Sequence, residues 1–439
     1  MASPGRHQFP LLLHPVGSPS GIRRRLIRDL LSSSSHPLPV QRPGVRLRGL
    51  RPGSAKRLFL SLALLAGAPA LLVAQSGAAS AVQSGPALPV ERTGKEIYQA
   101  ACAACHGLDG TGSPKATVGF AVALPDFTDC AFATAESDQD WHAVVHEGGR
   151  IRGLDHHMPA FGDALSPQDI ALAVAHVRTF CRKAAWPRGD LNLPRAFFTE
   201  KAFPENEAVW VTAFTGRGER AVGNELIYER RFGARSQIEV NAPILFQEVT
   251  TDAAEIEHPP QTWNSGLGDV AVAFKRTVYA STRAGRIAAA GMEIALPTGK
   301  EELGLGNGYT VFEPFAMWGQ MLPHNSFLQM HGGVELPSDS AKAAKETYLR
   351  TAVGTTFFAD RGFGRAWSPQ VEVLWARPEH DASEWDVVPQ FQVTLSKIQH
   401  VRVAAGARIP VTQREERHAQ ALVYLLWDWF DGGFFEFWK

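Results

Sequence analysis

From Ala208 to Phe430 the chain alternates apolar and polar positions. In "SQIEVNAPILF", Ile238, Val240, Ala242, Ile244 and Phe246 share one face, and Gln237, Glu239 and Asn241 the other. In "SFLQMHGGVEL", Leu328, Met330, Gly332, Val334 and Leu336 oppose Gln329, His331 and Glu335. "EWDVVPQFQVTLS" and "VRVAAGARIPV" repeat the alternation. Period two over such lengths predicts strands with one apolar and one polar face, and about twelve of them fit here.

The connections also alternate. Short turns are expected at "FGARS", "STRAGR", "LPHNS", "DRGFG" and "SKIQH". Longer loops are expected at "EVTTDAAEIEHPPQTWNSG", "PTGKEELGLGNG", "LPSDSAKAAK", "RPEHDASE" and "VTQREER". That rhythm predicts an antiparallel transmembrane β-barrel over 205–439, with short periplasmic turns and long outer loops. An even strand number returns both chain ends to the periplasm, and "FFEFWK" supplies an aromatic terminus. In such a barrel the apolar face meets lipid. Glu239, Glu293, Glu335, Glu372, Arg402 and Arg408 then point into the lumen, either lining a polar pathway or filling the barrel with ion pairs. A soluble β-sandwich that binds a substrate is the competing architecture.

Upstream the period becomes helical. Thr93 with Glu96 reads as a capping box opening a helix through "EIYQAACAACH". Ser166 caps a second helix with Pro167 at its first position, and Ile170, Val174, Val177 and Cys181 share one face. The expectation is a small all-α domain over 90–185, joined to the barrel by a linker over 186–204, with two prolines in "KAAWPRGDLNLPR".

Residues 1–57 are rich in Arg, Pro, Ser and Leu and read as a disordered or mis-started extension. Residues 58–81 read as a signal peptide: Lys56 and Arg57 precede an apolar run from Leu58 to Val73, and Ala79-Ser80-Ala81 offers a cleavage site. An uncleaved anchor is the alternative. Cleavage would start the mature chain near Val82, in an oxidising compartment.

Composition excludes some partners. Of 439 residues, 44 are Lys or Arg and 44 Asp or Glu, so no net charge draws the chain to nucleic acid. The four cysteines, Cys102, Cys105, Cys130 and Cys181, confine cysteine chemistry to the helical part and exclude a blue-copper site in the remainder.

"ACAACHG" carries the chemistry. Two thiols three apart, with His106 next, form the c-type haem attachment pattern. A redox dithiol would need a βαβ context, and a zinc site two more ligands. Downstream, "HHMPAFGDALS" offers Met158, a thioether suited to the sixth position of haem iron. His156, His157, His142 and His146 stay open as alternatives. Cys130 and Cys181 are left to form a disulfide or remain as buried thiols.

The order CxxCH, MPxF, L(S/T) resembles class I cytochrome c. The resemblance implies one covalently attached haem c, held by Cys102, Cys105, His106 and Met158. His176 stands where that family's last helix often carries an aromatic. "GLGDVAVAFK" and "IALPTGKEELGLGNG" resemble the outer-membrane barrel family annotated around phenol meta-pathway degradation. The layout is similar to cytochrome–porin fusions.

The expectation is therefore an outer-membrane-anchored monohaem cytochrome that transfers one electron. Its barrel would serve as anchor and possible solute pathway, and its partners would be periplasmic redox proteins and outer-membrane lipid. A soluble periplasmic haem oxidoreductase, or a solute porin with a fused redox-sensing cytochrome, is the alternative. Twelve strands about 4.8 Å apart and tilted about 40° give a wall radius of roughly 12 Å. A haem domain of roughly 15 Å outer radius cannot enter, so it should hang at the periplasmic mouth from the linker.

Overall fold

The computed structural model describes residues 92–428, apart from 121–122, 153, 183–185, 218–219, 251–260, 359–365, 396–399 and 416. The extension, the signal peptide, the aromatic terminus, the turn at "DRGFG" and all of "SKIQH" but its histidine lie outside the described residues.

The helical part contains α1 (Gly94–Ala101), α2 (Ala103–His106), α3 (Lys115–Val118), α4 (Cys130–Ala133), α5 (Asp138–Glu147) and α6 (Pro167–Val177). Both expected capping boxes form: Thr93 with Glu96 at α1, and Ser166 with Asp169 at α6. Helices α1 and α6 cross at Gly94, where an added Cβ would lie 2.0 Å from the Leu172 carbonyl oxygen. Ile97, Ile170, Ala173 and Val174 fill the crossing. Cys130 and Cys181 are disulfide-bonded. Closing a loop of 51 residues contributes about 4 kcal/mol in the chain-entropy model.

The strands are β1 (Asn206–Thr215), β2 (Ala221–Phe232), β3 (Ser236–Thr250), β4 (Gln261–Leu267), β5 (Ala271–Ser281), β6 (Arg286–Ala295) and β7 (Val311–Leu322). They continue with β8 (Ser326–Pro337), β9 (Glu346–Thr355), β10 (Trp367–Pro378), β11 (Glu384–Thr394), β12 (Val401–Pro410) and β13 (Gln420–Asp428). All neighbours pair antiparallel, and β1 pairs with β13, so the sheet closes on itself. Strand β3 is long enough to pair with β5 along its first half and β4 along its second. The two are therefore one wall position interrupted at 268–270, and the barrel has twelve positions. Part of the loop expected at "EVTTDAAEIEHPPQTWNSG" is this β4 segment.

Closure overturns the β-sandwich alternative, because a sandwich keeps its apolar faces inside. Here the faces are inverted. Val371 and Val373 are 44% and 40% exposed while Glu372 between them is fully buried. Gln237, Glu239 and Asn241 face inward, and Ile238 and Phe246 outward. Closure removes free edges and satisfies the backbone, as an apolar surrounding requires. With its outward apolar wall, this is a barrel of the outer-membrane type.

The segment expected to be a free linker is buried. Leu191, Leu193, Phe197, Phe198 and Phe203 are all buried among lumen-facing side chains. The chain enters the barrel as a plug before it joins β1. Its prolines and apolar residues read as a spacer because nothing local reveals that a polar lumen will receive its backbone.

Candidate haem site

The attachment motif sits on a helix that barely breaks. Helix α1 runs to Ala101, Cys102 kinks it, and α2 carries Cys105 and His106. The Tyr98 hydroxyl donates to the Gly107 carbonyl at 2.7 Å and the His106 carbonyl at 3.2 Å, tying the motif to α1. Gly107, at φ 72°, ends the helix as few other residues could. Phe127 stacks on the His106 ring at 4.8 Å between centroids.

Opposite lies the methionine loop, drawn tightly back on itself by two glycines. The Gly149 amide donates to the Met158 carbonyl at 3.0 Å. A Cβ on Gly149 would stand 2.3 Å from the Asp155 carbonyl oxygen, and Gly148 holds φ at 82°. The glycine pair in "EGGR" is thus the sequence mark of the backbone that holds the methionine loop.

Between the two lies a cavity of about 480 Å³. Cys102, Cys105, His106 and Met158 all line it, with Trp141, Phe127, Phe161 and Val174 among its apolar walls. His157 lines it too, but its ring is held by Asp155 at 2.6 Å and Phe120 at 4.2 Å between centroids. His156, His142 and His146 do not appear in its lining.

Burial pushes the Cys102 thiol up to about 11, and neighbouring Cys105 adds to the rise. An activated redox dithiol shifts in the opposite direction. Burial also pushes His106 below its ordinary value, favouring the neutral ring that can ligate a metal. His106 Nδ1 is buried without a hydrogen-bond partner among the described residues. Two free thiols, a neutral imidazole, a facing thioether and a large apolar cavity fit a covalently held haem.

Residues 89–177 match the family model described as cytochrome C oxidase, cbb3-type, subunit III. They form a c-type cytochrome domain. No curated protein matches the chain. Among solved structures, the chain is similar to an outer membrane channel from Pseudomonas putida F1, with TM-score 0.37 and 12% identity, over 54% of this chain and all of that one. It is also similar to the KdgM porin in complex with disordered oligogalacturonate, with TM-score 0.34 and 7% identity, over 51% and 99%. The NanC porin matches with TM-score 0.35 and 9% identity, over 51% and 98%.

The cytochrome domain lies against the short-turn end of the barrel. Gln139 donates to Asn325, in the turn between β7 and β8, at 3.3 Å. Glu136 meets His400, the residue just before β12, at 3.3 Å. Arg178 lies over Trp141 at 4.5 Å and pairs with Asp138, which also pairs with Arg188 at the head of the plug.

Inside the barrel the plug's polar groups are met by the wall. Glu372 accepts the amides of Phe197 at 2.8 Å and Thr199 at 2.7 Å, that of Phe198 at 3.1 Å, and the Thr199 hydroxyl at 2.8 Å. Gln370 and Tyr424 donate to the Arg195 carbonyl, each at 2.9 Å. Arg195 itself pairs with Glu207 and Glu229. At the opposite end, the interruption at 268–270 turns Asp269 inward, where it accepts the amides of Gly299 and Asn307 at 3.0 and 2.7 Å. That clamp folds the loop from Thr298 to Tyr309 over the lumen and buries Leu305 against the core of the barrel.

Proposed function

We propose that this protein is an outer-membrane-anchored monohaem c-type cytochrome that exchanges single electrons on the periplasmic side. The observation that carries this reading is the 480 Å³ cavity on which the attachment motif and Met158 converge. Cys102 and Cys105 would hold the haem by thioethers, and His106 and Met158 would ligate its iron. When bound, the haem supplies the one-electron couple. The chain's own residues orient it, exclude water with the walls around Trp141 and Phe127, and fix the proximal ring by stacking. The mature chain begins near Val82, with its cytochrome domain over 90–185 and its barrel over 205–439.

The barrel serves as an anchor. The plug from Leu191 to Phe203 and the folded loop above it both favour a closed lumen over a solute pathway. Beside Phe198 and Arg350 a cavity of about 20 Å³ remains, room for roughly one water. With short turns on the periplasmic side, the haem domain meets periplasmic donors and acceptors. One haem there cannot relay electrons across an apolar band about 25 Å tall.

The test is haem staining after denaturing electrophoresis. Wild-type chain should stain with one haem per chain, and the Cys102→Ala, Cys105→Ala double variant should not. Stain that persists in the variant removes the assignment. Protease added to intact cells should leave the haem fragment in place and release it only after the outer membrane is permeabilised.

A further inference from the structure

Near the short-turn end of β2, β3 and β5, charged side chains divide between the two faces of the wall. Glu229, Arg231, Glu239 and Lys275 turn inward and are buried, whereas Arg230 and Arg276 turn outward and are exposed. The strand register fixes how they meet. Arg230 stands level with Ile238 on β3 and, through it, with Phe274 on β5. Phe232 stands level with Ser236 and, through it, with Arg276. The two arginines and two phenylalanines are thus the corners of a quadrilateral on the apolar outer face. With strands about 4.8 Å apart and a rise of about 3.4 Å per residue, the arginine backbones lie roughly 12 Å from each other along one diagonal. Phe232 and Phe274 close the other diagonal, with ring centroids 5.9 Å apart, and each is 44% exposed. Arg276 donates to the Ser236 hydroxyl at 2.9 Å, a neutral partner, and neither arginine forms an ion pair among the described residues. The outward residues around them, Tyr228, Ile238, Val272, Ala290 and Met292, include no acid.

We propose that this patch binds the phosphate headgroup of an anionic phospholipid in the periplasmic leaflet. Arg230 and Arg276 close on the phosphate from two sides, and the Phe232–Phe274 pair receives the start of the acyl chains. The occupant follows from what surrounds the charges. An outward arginine in an apolar wall needs an anion that the lipid layer itself contains, and a phosphate takes the planar guanidinium in bidentate fashion. No acid on this face can receive the ammonium of a zwitterionic headgroup, so the charge balance selects an anionic lipid. An acidic protein would have to strip lipid from the aromatic floor to reach the same two side chains. The β5–β6 hairpin adds Arg283 and Arg286, both exposed, beyond the same rim. The choice of leaflet rests on the periplasmic placement proposed above, because the cytochrome domain lies against this end of the barrel. The site itself does not depend on the haem.

The experiment mixes the full-length chain in detergent with phosphatidylglycerol or phosphatidylcholine and counts retained lipid by native mass spectrometry. Wild-type chain should keep phosphatidylglycerol in preference. Arg230→Gln and Arg276→Gln should each weaken that retention about tenfold, the loss of one charged hydrogen-bonding partner. The double variant should keep the two lipids alike. Arg217→Gln, which removes an exposed arginine from the connection between β1 and β2 at the opposite end, should behave as the wild type does. Equal retention of both lipids by the wild type, or an undiminished preference in the double variant, overturns the proposal. So does an equal loss in Arg217→Gln, which would reduce the preference to overall charge. Heat-modifiable migration checks folding, and if the double variant fails it the two single variants decide. Lipopolysaccharide retained in place of phosphatidylglycerol, and lost in the same variants, overturns the proposal and the periplasmic placement together. Wild-type chain without covalent haem overturns the functional reading and leaves this site standing.

Discussion

At Met158 a single side chain decides the character of the site. It lines the same cavity as His106, and among the described residues no hydrogen bond holds its side chain, whereas His157 is held by Asp155 and Phe120. Met158→Ala should therefore abolish the far-red thioether-to-iron band and lower the potential, since thioether ligation raises it. If His157→Ala does this and Met158→Ala does not, the distal assignment is wrong. His176 is a second informative residue. It packs between Tyr98 and Phe180, with ring centroids 5.3 and 5.2 Å away, in the place of an aromatic. Burial first, and Lys95 second, push its proton affinity down. A group with a depressed folded value contributes stability that is fully present above its unfolded value, about 6.5, and is lost as pH falls through the folded value. The haem domain should thus lose denaturant resistance below about pH 6.5, and His176→Phe should flatten that profile. An unchanged profile in the variant would assign the acid sensitivity elsewhere.

Among the elements, the crossing of α1 and α6 is the most exacting. Backbone meets backbone at Gly94, with Leu172 carbonyl so close that a methyl cannot enter without moving one helix. Gly94→Ala should cost about 1–3 kcal/mol through overpacking, read as an earlier denaturation of the Soret signal while the barrel's strand signal is unchanged. A midpoint equal to wild type would mean the helices part at no cost. The interruption between β4 and β5 is the corresponding feature of the barrel. It keeps the Gly268 amide on the Pro243 carbonyl and the Leu296 amide on the Val270 carbonyl, and turns Asp269 inward as the clamp on the outer loop, beside the glycines of "GLGD" and "GLGNG". A Cβ on Gly306 would fall 2.4 Å from Asp269 Oδ1.

For the whole molecule, the plug is the decisive element. Its amides converge on one buried carboxylate, so Glu372→Ala orphans five donors, four from the plug and one from the Gln390 side chain, each costing about 1–3 kcal/mol when left unsatisfied. The variant should loosen the plug and raise ion conductance in planar bilayers well above that of the wild type, with haem content unchanged. A wild-type protein that already conducts as well as the variant would show that the plug does not close the lumen. The plug also connects the domains directly: Arg188 pairs with Asp138 of the cytochrome, and Leu191 starts the buried run a few residues later.

The sequence by itself determined what is periodic or local. Period two specified the strands and, because the apolar face of a closed barrel must meet lipid, their orientation. Spacing specified the capping boxes and the attachment motif, since a helix turn or a thioether pair depends only on neighbours along the chain. Tertiary structure alone decided what depends on meetings between distant segments. "LNLPRAFFTEKAF" has no period, and its role as plug appears only when Glu372, Gln370 and Tyr424, far away in sequence, converge on its backbone. The same holds for His400, one histidine among 15, which meets Glu136 of the cytochrome domain only in the fold. A hydrogen bond across 264 residues leaves no mark on either neighbourhood, because each partner is an ordinary polar residue until the fold brings them together.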